Sequence, residues 1–217
     1  MDETVSNWCE VVEKAAYELG VTITRKICDQ FKIHVKELLV WNEKMNLTAI
    51  TDPMEIAIKH FVDSSILASY IEKNQRMLDM GSGGGFPGLV IGVQRPDVKI
   101  TLVDASRKKV AFLQHVIRKL GLINTIAIHA RIEKMGQNER FDVITCRAFA
   151  SLDEIVHLAK FLLSSTGSIL AMRGYVTQEE EKNIRKNGLV QKFKKIEYQL
   201  PIENAKRTLV QIRLFEK

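Results

Sequence analysis

Cysteine is scarce in this chain. Cys9, Cys28 and Cys146 are the only three in 217 residues, odd in number and far apart. They make no C-x-x-C pair and no disulfide framework, the usage of a reducing compartment. Long apolar runs are also missing. No stretch approaches the roughly 20 apolar residues that a membrane span needs. Met1-Asp2-Glu3-Thr4 is acidic, with no apolar segment behind it, so a signal peptide is not expected and a cytoplasmic location is. The five histidines, His34, His60, His115, His129 and His157, are scattered without ligand spacing, which predicts no metal site. Internal repeats, low-complexity tracts and flexible linkers are absent.

What is present is enough for a sizeable core. Apolar residues make up 46% of the chain, which excludes global disorder, and the length suits one large domain with a small appendage. The formal charge of +6 favours polyanionic partners, nucleic acid above all.

The densest signal lies at Met77-Leu-Asp-Met-Gly-Ser-Gly-Gly-Gly-Phe-Pro-Gly88, where five glycines fall within eight residues. An apolar run ends in Asp79. After it come Gly81, Gly83, Gly84, Gly85, Phe86 and then Pro87-Gly88, which open a helical pattern. This reads as strand, tight turn and helix, a place where backbone approaches a ligand closely and a helix N-terminus offers free N–H groups. Two chemistries share these letters. Gly83-x-Gly85-x-x-Gly88 with Asp104 about 20 residues on satisfies the dinucleotide fingerprint. Asp79-x-Gly81-x-Gly83-x-Gly85 reads as the nucleotide loop of S-adenosylmethionine-dependent methyltransferases. Asp79 favours the second, because a carboxylate repels a pyrophosphate and attracts an ammonium and a sulfonium.

Residues 1–72 read as a helical extension, with Ile23, Ile27, Phe31, Val35, Leu38 and Leu39 at helical spacing. Trp41-Asn42 to Asn46-Leu47-Thr48 reads as a turn, and Asp52-Pro53 as a helix start. From residue 73 to 217 strands alternate with helices. Strands are expected at Leu78, Ile100–Val103, Thr125–Ile128, Val143–Cys146 and Ser168–Met172. Ser106 caps a helix that Gly121 stops, and a further helix spans Ser151–Leu163. A polar helix at Gln178–Lys186 precedes two strands, Gln191–Leu200 and Thr208–Phe215, placed to close the sheet as an antiparallel pair. The fold class is α/β, a parallel sheet covered on both faces.

In such a sheet, ligands bind beyond the carboxyl ends of the strands. Asp79 and Asp104 stand there, Asp104 suited to accept from both ribose hydroxyls. Ile132 is placed to pack on adenine with Glu133 near its edge. Arg147 suits a carboxylate, a nucleic-acid phosphate or a structural ion pair. Cys146 lacks the preceding proline of cytosine-5 methyltransferases and reads as a buried structural thiol. No Asn-Pro-Pro-Tyr follows the fourth strand to grip an exocyclic amine. His60 and Asp63 fit either an active-site floor or a capped helix end. Arg107, Lys108 and Lys109 oppose the dipole of their helix, which suits phosphate contacts as well as a solvated face. From Arg173 onward eleven Lys and Arg stand against six Glu, a basic flank that fits RNA.

Several of these stretches together resemble one family. They are Trp41-Asn42 with Asn46-Leu47-Thr48, His60 with Asp63-Ser64, Asp79 to Gly88, Leu102-Val103-Asp104-Ala105-Ser106 before Lys108-Lys109, Arg131 with Glu133, and Arg147-Ala148-Phe149-Ala150. The chain resembles the bacterial ribosomal small-subunit methyltransferase G family, also called glucose-inhibited division protein B. The resemblance implies a class I, Rossmann-like methyltransferase sheet of seven strands. It implies methyl transfer from S-adenosylmethionine to N7 of a guanine in 16S ribosomal RNA. It implies that Gly81, Phe86, Asp104, Ala105, Ser106, Ile132, Glu133 and Arg147 hold the cofactor, beside Asp79, Gly83 and Gly85 of the loop. Arg173-Gly174 stands where the family has Lys-Gly, and Cys146 where Ser is common. Arg107, Lys108, Lys109 and Arg173 are the candidate RNA contacts. The expected partner is 16S ribosomal RNA or the small ribosomal subunit, with no membrane, no metal and no second copy of the chain. The competing readings are an NAD-dependent oxidoreductase and a non-catalytic RNA-binding assembly factor.

Overall fold

The computed structural model describes residues 3–136 and 139–215. Met1, Asp2, Glu216 and Lys217, which enter the reading of the N-terminus and of the basic flank, lie outside the described residues.

Helices α1 (Glu3–Glu18) and α2 (Arg25–Met45) open the chain. Phe31, Val35 and Leu38 recur along α2 and bury one face of it. The helix continues through Trp41 and Asn42, where a turn is expected from sequence. The reason is local. The Asn42 side chain brackets Thr48, accepting from its N–H and donating to its carbonyl, both at 2.9 Å. The reversal therefore starts only at Asn46, which takes the left-handed conformation at φ 50°.

Asp52 caps α3 (Pro53–Ile56) by accepting from the N–H groups of Met54 and Glu55, as its place before proline predicts. The same helical segment then widens into a π-helical turn over Ala57–Val62. It continues as α4 (Asp63–Ser65) and ends in a 3₁₀ turn over Ile66–Tyr70. Such π turns recur at functional sites, and this one carries His60.

The remainder alternates as β1 (Arg76–Met80), α5 (Gly88–Gln94), β2 (Lys99–Asp104), α6 (Arg107–Leu120), β3 (Thr125–His129), β4 (Phe141–Arg147), α7 (Leu152–Ala159), β5 (Leu163–Arg173), α8 (Gln178–Lys186), β6 (Val190–Gln199) and β7 (Lys206–Leu214). Seven strands form one sheet in the order β3-β2-β1-β4-β5-β7-β6. The pairs among β1 to β5 are parallel, and β7 runs antiparallel to both β5 and β6. Ser106 caps α6, and Gly121 ends it at φ 63°, as expected. Helix α7 stops earlier than expected, and β5 begins five residues earlier. Leu162 and Leu163 are buried, and Leu163 pairs with Phe141 at the start of β4.

Each face of the sheet has its own apolar cluster. One joins Trp8, Phe31 and Phe61 of the first 72 residues to Leu89, Leu102 and Phe112 of the remainder. The other packs Ile144, Cys146, Ile155, Ile169 and Val210. The core therefore crosses the expected boundary at residue 72 without a break. No described helix is long and apolar enough to cross a membrane.

Cysteine usage departs from expectation. Cys9 of α1 and Cys28 of α2 form a disulfide, 19 residues apart in sequence with Cα atoms 5.7 Å apart. No spacing motif announces it; the packing of two helices brings the pair together. Cys146 is the buried thiol expected, and burial pushes it up to about 12.

Candidate functional site

The glycine loop lies between β1 and α5, and its N–H groups are taken up by β1, β2 and the loop itself. The N–H groups of Gly81 and Ser82 donate to the Val103 carbonyl, and those of Gly85 and Phe86 to the Ser82 carbonyl. The N–H of Gly83 donates to Asp104 Oδ2 at 3.0 Å, and that of Gly88 to Asp79 Oδ2 at 3.0 Å. The free N–H groups expected at the start of α5 are thus partly taken by Asp79. A loop arranged this way has few donors left for a pyrophosphate. Asp104 stands beside it and Asp79 is enclosed beneath it, an arrangement that opposes a dinucleotide and suits a cation.

Asp79 is fully enclosed beneath the loop. Burial raises its carboxyl to about 7 against the pull of the Gly88 N–H, Ser82 and Arg147. Its Oδ1 is buried without a partner. Gly88 has to be glycine at this contact, since a Cβ would fall 2.6 Å from Asp79 Oδ2 and against Leu102. Gly81 has φ +71°, and a Cβ there would stand 2.5 Å from Cδ2 of Phe149, whose ring lies over the loop.

Phe86 belongs to the loop, but its ring serves the helical layer. It stacks on His34 at 4.9 Å between centroids and meets Phe61 edge-on at 5.1 Å. The Arg147 guanidinium lies over it at 5.1 Å. Nε2–H of His34 donates to the Gly84 carbonyl at 2.8 Å, so α2 holds the loop from behind. Burial lowers His34 to about 4, which keeps the ring neutral.

Asp104, Ala105 and Ser106 lie beside the loop at the end of β2. Asp104 accepts from Gly83 and, through Oδ1, from the Ser106 N–H at 2.8 Å. A carboxylate has about four acceptor positions, so two remain for hydroxyl groups. The turn after β3 joins this group, since Ala130 N–H donates to the Asp104 carbonyl. It presents buried Ile132 and exposed Glu133. The structure thus brings together the residues expected at the ends of β1, β2 and β3.

The ends of β4 and β5 border a separate cleft of about 560 Å³ whose lining includes Lys59, His60, Asp63, Arg147, Arg173 and Arg207. It gathers four cations against Asp63, with Lys59 paired to Glu55 and Glu203 at 3.2 and 3.3 Å. Arg147 donates to the Lys59 carbonyl at 3.1 Å. Asp63 accepts from the Tyr198 hydroxyl at 2.7 Å and lies 3.6 Å from Nε of Arg207. Burial raises the Asp63 carboxyl, with Tyr198, Arg147 and Arg207 pulling it back. His60 sits 2.8 Å from the Thr48 hydroxyl, and burial, helped by Arg147, lowers it to about 3. His60 and Asp63 therefore line this cleft from within a continuous helical segment rather than from a capped helix end. Arg173 lines the cleft but is committed to the Ala150 carbonyl and to Glu180, both within 2.8 Å. Arg107, Lys108 and Lys109 stand at the same end of the sheet beyond β2, and the first two are exposed. Sequence reasoning missed Lys59, Tyr198 and the individual role of Arg207. Only the basic character of the C-terminal flank hinted at Arg207.

Comparison with known proteins identifies the family. The family model for rRNA small subunit methyltransferase G matches residues 27–210. The ribosomal RNA small subunit methyltransferase G of Geobacter sulfurreducens is 39% identical over 211 residues, covering 94% of this chain and 96% of its own. That of Neisseria meningitidis serogroup B is 40% identical over 192 residues, covering 88% and 91%. Solved structures share the fold. A precorrin-6y C5,15-methyltransferase from Geobacter metallireducens has a TM-score of 0.53 at 12% identity, over 69% of this chain and 86% of its own. An rRNA methylase from Streptococcus thermophilus has 0.51 at 18%, over 70% and 94%. With a family match across most of its length and two such relatives, the chain belongs to the rRNA small subunit methyltransferase G family.

Proposed function

We propose that this enzyme transfers a methyl group from S-adenosylmethionine to N7 of a guanine in 16S ribosomal RNA, in the cytoplasm. The observation that carries the reading is the pairing of two unlike sites. A loop whose donors are taken up by the carboxylates at the ends of β1 and β2 adjoins a cleft lined with Lys59, Arg147 and Arg207. The first suits a cationic nucleoside, the second a polyanion.

The residues fit the cofactor. Asp104 has acceptor positions for two ribose hydroxyls, and Ile132 with Glu133 borders the same space. Asp79 lies directly beneath the loop with Oδ1 buried and unpartnered, and it carries negative charge above about pH 7. When bound, S-adenosylmethionine supplies an electrophilic methyl on a sulfonium. The protein's own residues bind and orient. Guanine N7 carries an in-plane lone pair, so no side chain has to remove a proton. That agrees with His60, lowered by burial to about 3 and so a weak base, and with Asp63, which is engaged by Tyr198 and Arg207. Arg147 and Arg207 provide positive charge for phosphate, with Lys59 held beside them by Glu55 and Glu203, and this fixes the base for in-line attack. The methylated ring is cationic, and the ring of Phe149, which lies over the loop, offers it an aromatic face.

The test is methyl transfer from labelled S-adenosylmethionine to small-subunit particles and to naked 16S RNA, followed by nucleoside analysis. Label in 7-methylguanosine supports the reading, and the better substrate identifies the stage of assembly. Cofactor binding without label in either RNA would refute it.

A further inference from the structure

The Cys9–Cys28 pair has a third neighbour. Glu13 stands one helical turn after Cys9 on α1, on the same face. The two sulfurs and a Glu13 carboxylate oxygen all lie within 4.8 Å of one another, the one such grouping of three donors among the described residues. Both cysteines are fully buried. Oε1 of Glu13 is buried as well and has no hydrogen-bond partner.

That carboxylate is the informative group. Buried polar atoms are nearly always satisfied, and a carboxylate oxygen buried with neither donor nor cation is a costly exception, here on a side chain that is otherwise partly exposed. A disulfide offers it neither. Two thiols would offer S–H donors, although weak ones. Two thiolates and a carboxylate form the donor set of a borderline-soft divalent cation, with the two carboxylate oxygens allowing three residues to fill four positions.

We propose that Cys9, Glu13 and Cys28, once the disulfide between them is reduced, bind a zinc-type divalent cation that clamps α1 to α2. The chemistry balances with a dithiol reductant. The S–S bond takes two electrons and two protons from the reagent, giving two protein thiols and a reagent disulfide. Cation binding then releases both thiol protons. The site is structural and remote from the cleft, yet connected to it. Trp8, next to Cys9, donates to the Pro53 carbonyl at 2.9 Å and meets Phe61, which in turn packs on Phe86 of the loop. Cys28 lies on the helix whose His34 holds Gly84.

The experiment uses the full chain, reduced anaerobically with dithiothreitol, freed of reagent and titrated with cobalt(II) chloride. The expected result is one equivalent bound per chain, with a thiolate-to-cobalt charge-transfer band that zinc(II) chloride displaces. Cys9→Ser and Cys28→Ser abolish the band, and Cys146→Ser leaves it unchanged. Glu13→Gln keeps both thiols and the side-chain volume, and it weakens binding by at least about tenfold, the loss that even an outer-shell partner causes. That variant decides the matter if a serine variant fails to fold. No band in the reduced chain, or undiminished affinity in Glu13→Gln, overturns the proposal. So does an equal band in the oxidised chain.

Discussion

Asp79→Asn isolates the cost of keeping an acid beneath the glycine loop. The folded protein holds the Asp79 proton up to about 7, chiefly because of burial, whereas the ordinary value is 3.8. Between those values the folded state binds more protons than the unfolded state, so stability falls as pH rises. Below the lower value the penalty is absent, and above about 7 it is complete. At 1.36 kcal/mol per unit the full penalty is about 4 kcal/mol, and roughly 2.5 kcal/mol of it develops between about pH 5 and about pH 8. Asparagine keeps an acceptor for the Gly88 N–H and cannot ionise. It adds a buried amide whose lost hydrogen bonds cost about 1–3 kcal/mol, but that cost does not vary with pH. His34 and His60, lowered to about 4 and about 3, add acid-side slopes of the opposite sign, and these are common to both proteins. Urea unfolding at the two pH values, followed by circular dichroism, measures the difference directly. The variant should gain on the wild type by roughly 2.5 kcal/mol as pH rises from about 5 to about 8, while losing cofactor affinity at the higher pH. A stability difference that stays constant with pH would refute the assignment of the buried charge to Asp79.

Further outcomes follow from neighbouring residues. Asp104→Ala removes the acceptor for Gly83 and Ser106 and should weaken cofactor binding by roughly 10- to 100-fold by calorimetry; RNA binding should change much less, and equal loss of both would indicate misfolding. Gly88→Ala forces a Cβ onto Asp79 and Leu102 and should cost about 1–3 kcal/mol in urea unfolding, together with cofactor binding. Neutralising Lys108 and Lys109 should reduce the slope of log affinity for RNA against log salt by roughly 0.7 for each phosphate left without its cation, and an unchanged slope would return both to a solvated face. His34→Gln should flatten the loss of stability on acidification between about 6.5 and about 4, the window in which the unfolded histidine is protonated and the folded one is not.

Local chemistry was the legible part of this chain. Asp52 before proline, Ser106 before a basic turn and Gly121 after an amphipathic run each act within a few residues, and each cap stands where the letters place it. The glycine loop was legible for the same reason, and so was the antiparallel pair at the end. Apart from the local contact of Asn42, the missed features need distant partners. Asn42 lengthens α2 through a hydrogen bond to Thr48 that competes with a turn signal. Cys9 meets Cys28 only because two helices pack. Asp63 and Tyr198, 135 residues apart, meet only once β6 has taken its register beside β7. No period or motif encodes such a meeting. The shift of Asp79 was also invisible, because it depends on the complete enclosure of one carboxylate.

The strand order has a consequence for the chain during its own synthesis. β7 is made last, yet it lies inside the sheet, between β5 and β6. Until it emerges, β5 has an open edge and β6 has no strand to join. Tyr198 sits on β6 and Arg207 on β7, so neither reaches Asp63 while the chain is incomplete. Domains fold as units while they are translated, N-terminal parts first. Here the helical layer and the glycine loop precede the cleft in that order. A nascent chain would then acquire its nucleoside loop before its polyanion cleft, and competence for RNA would arrive with the final strand.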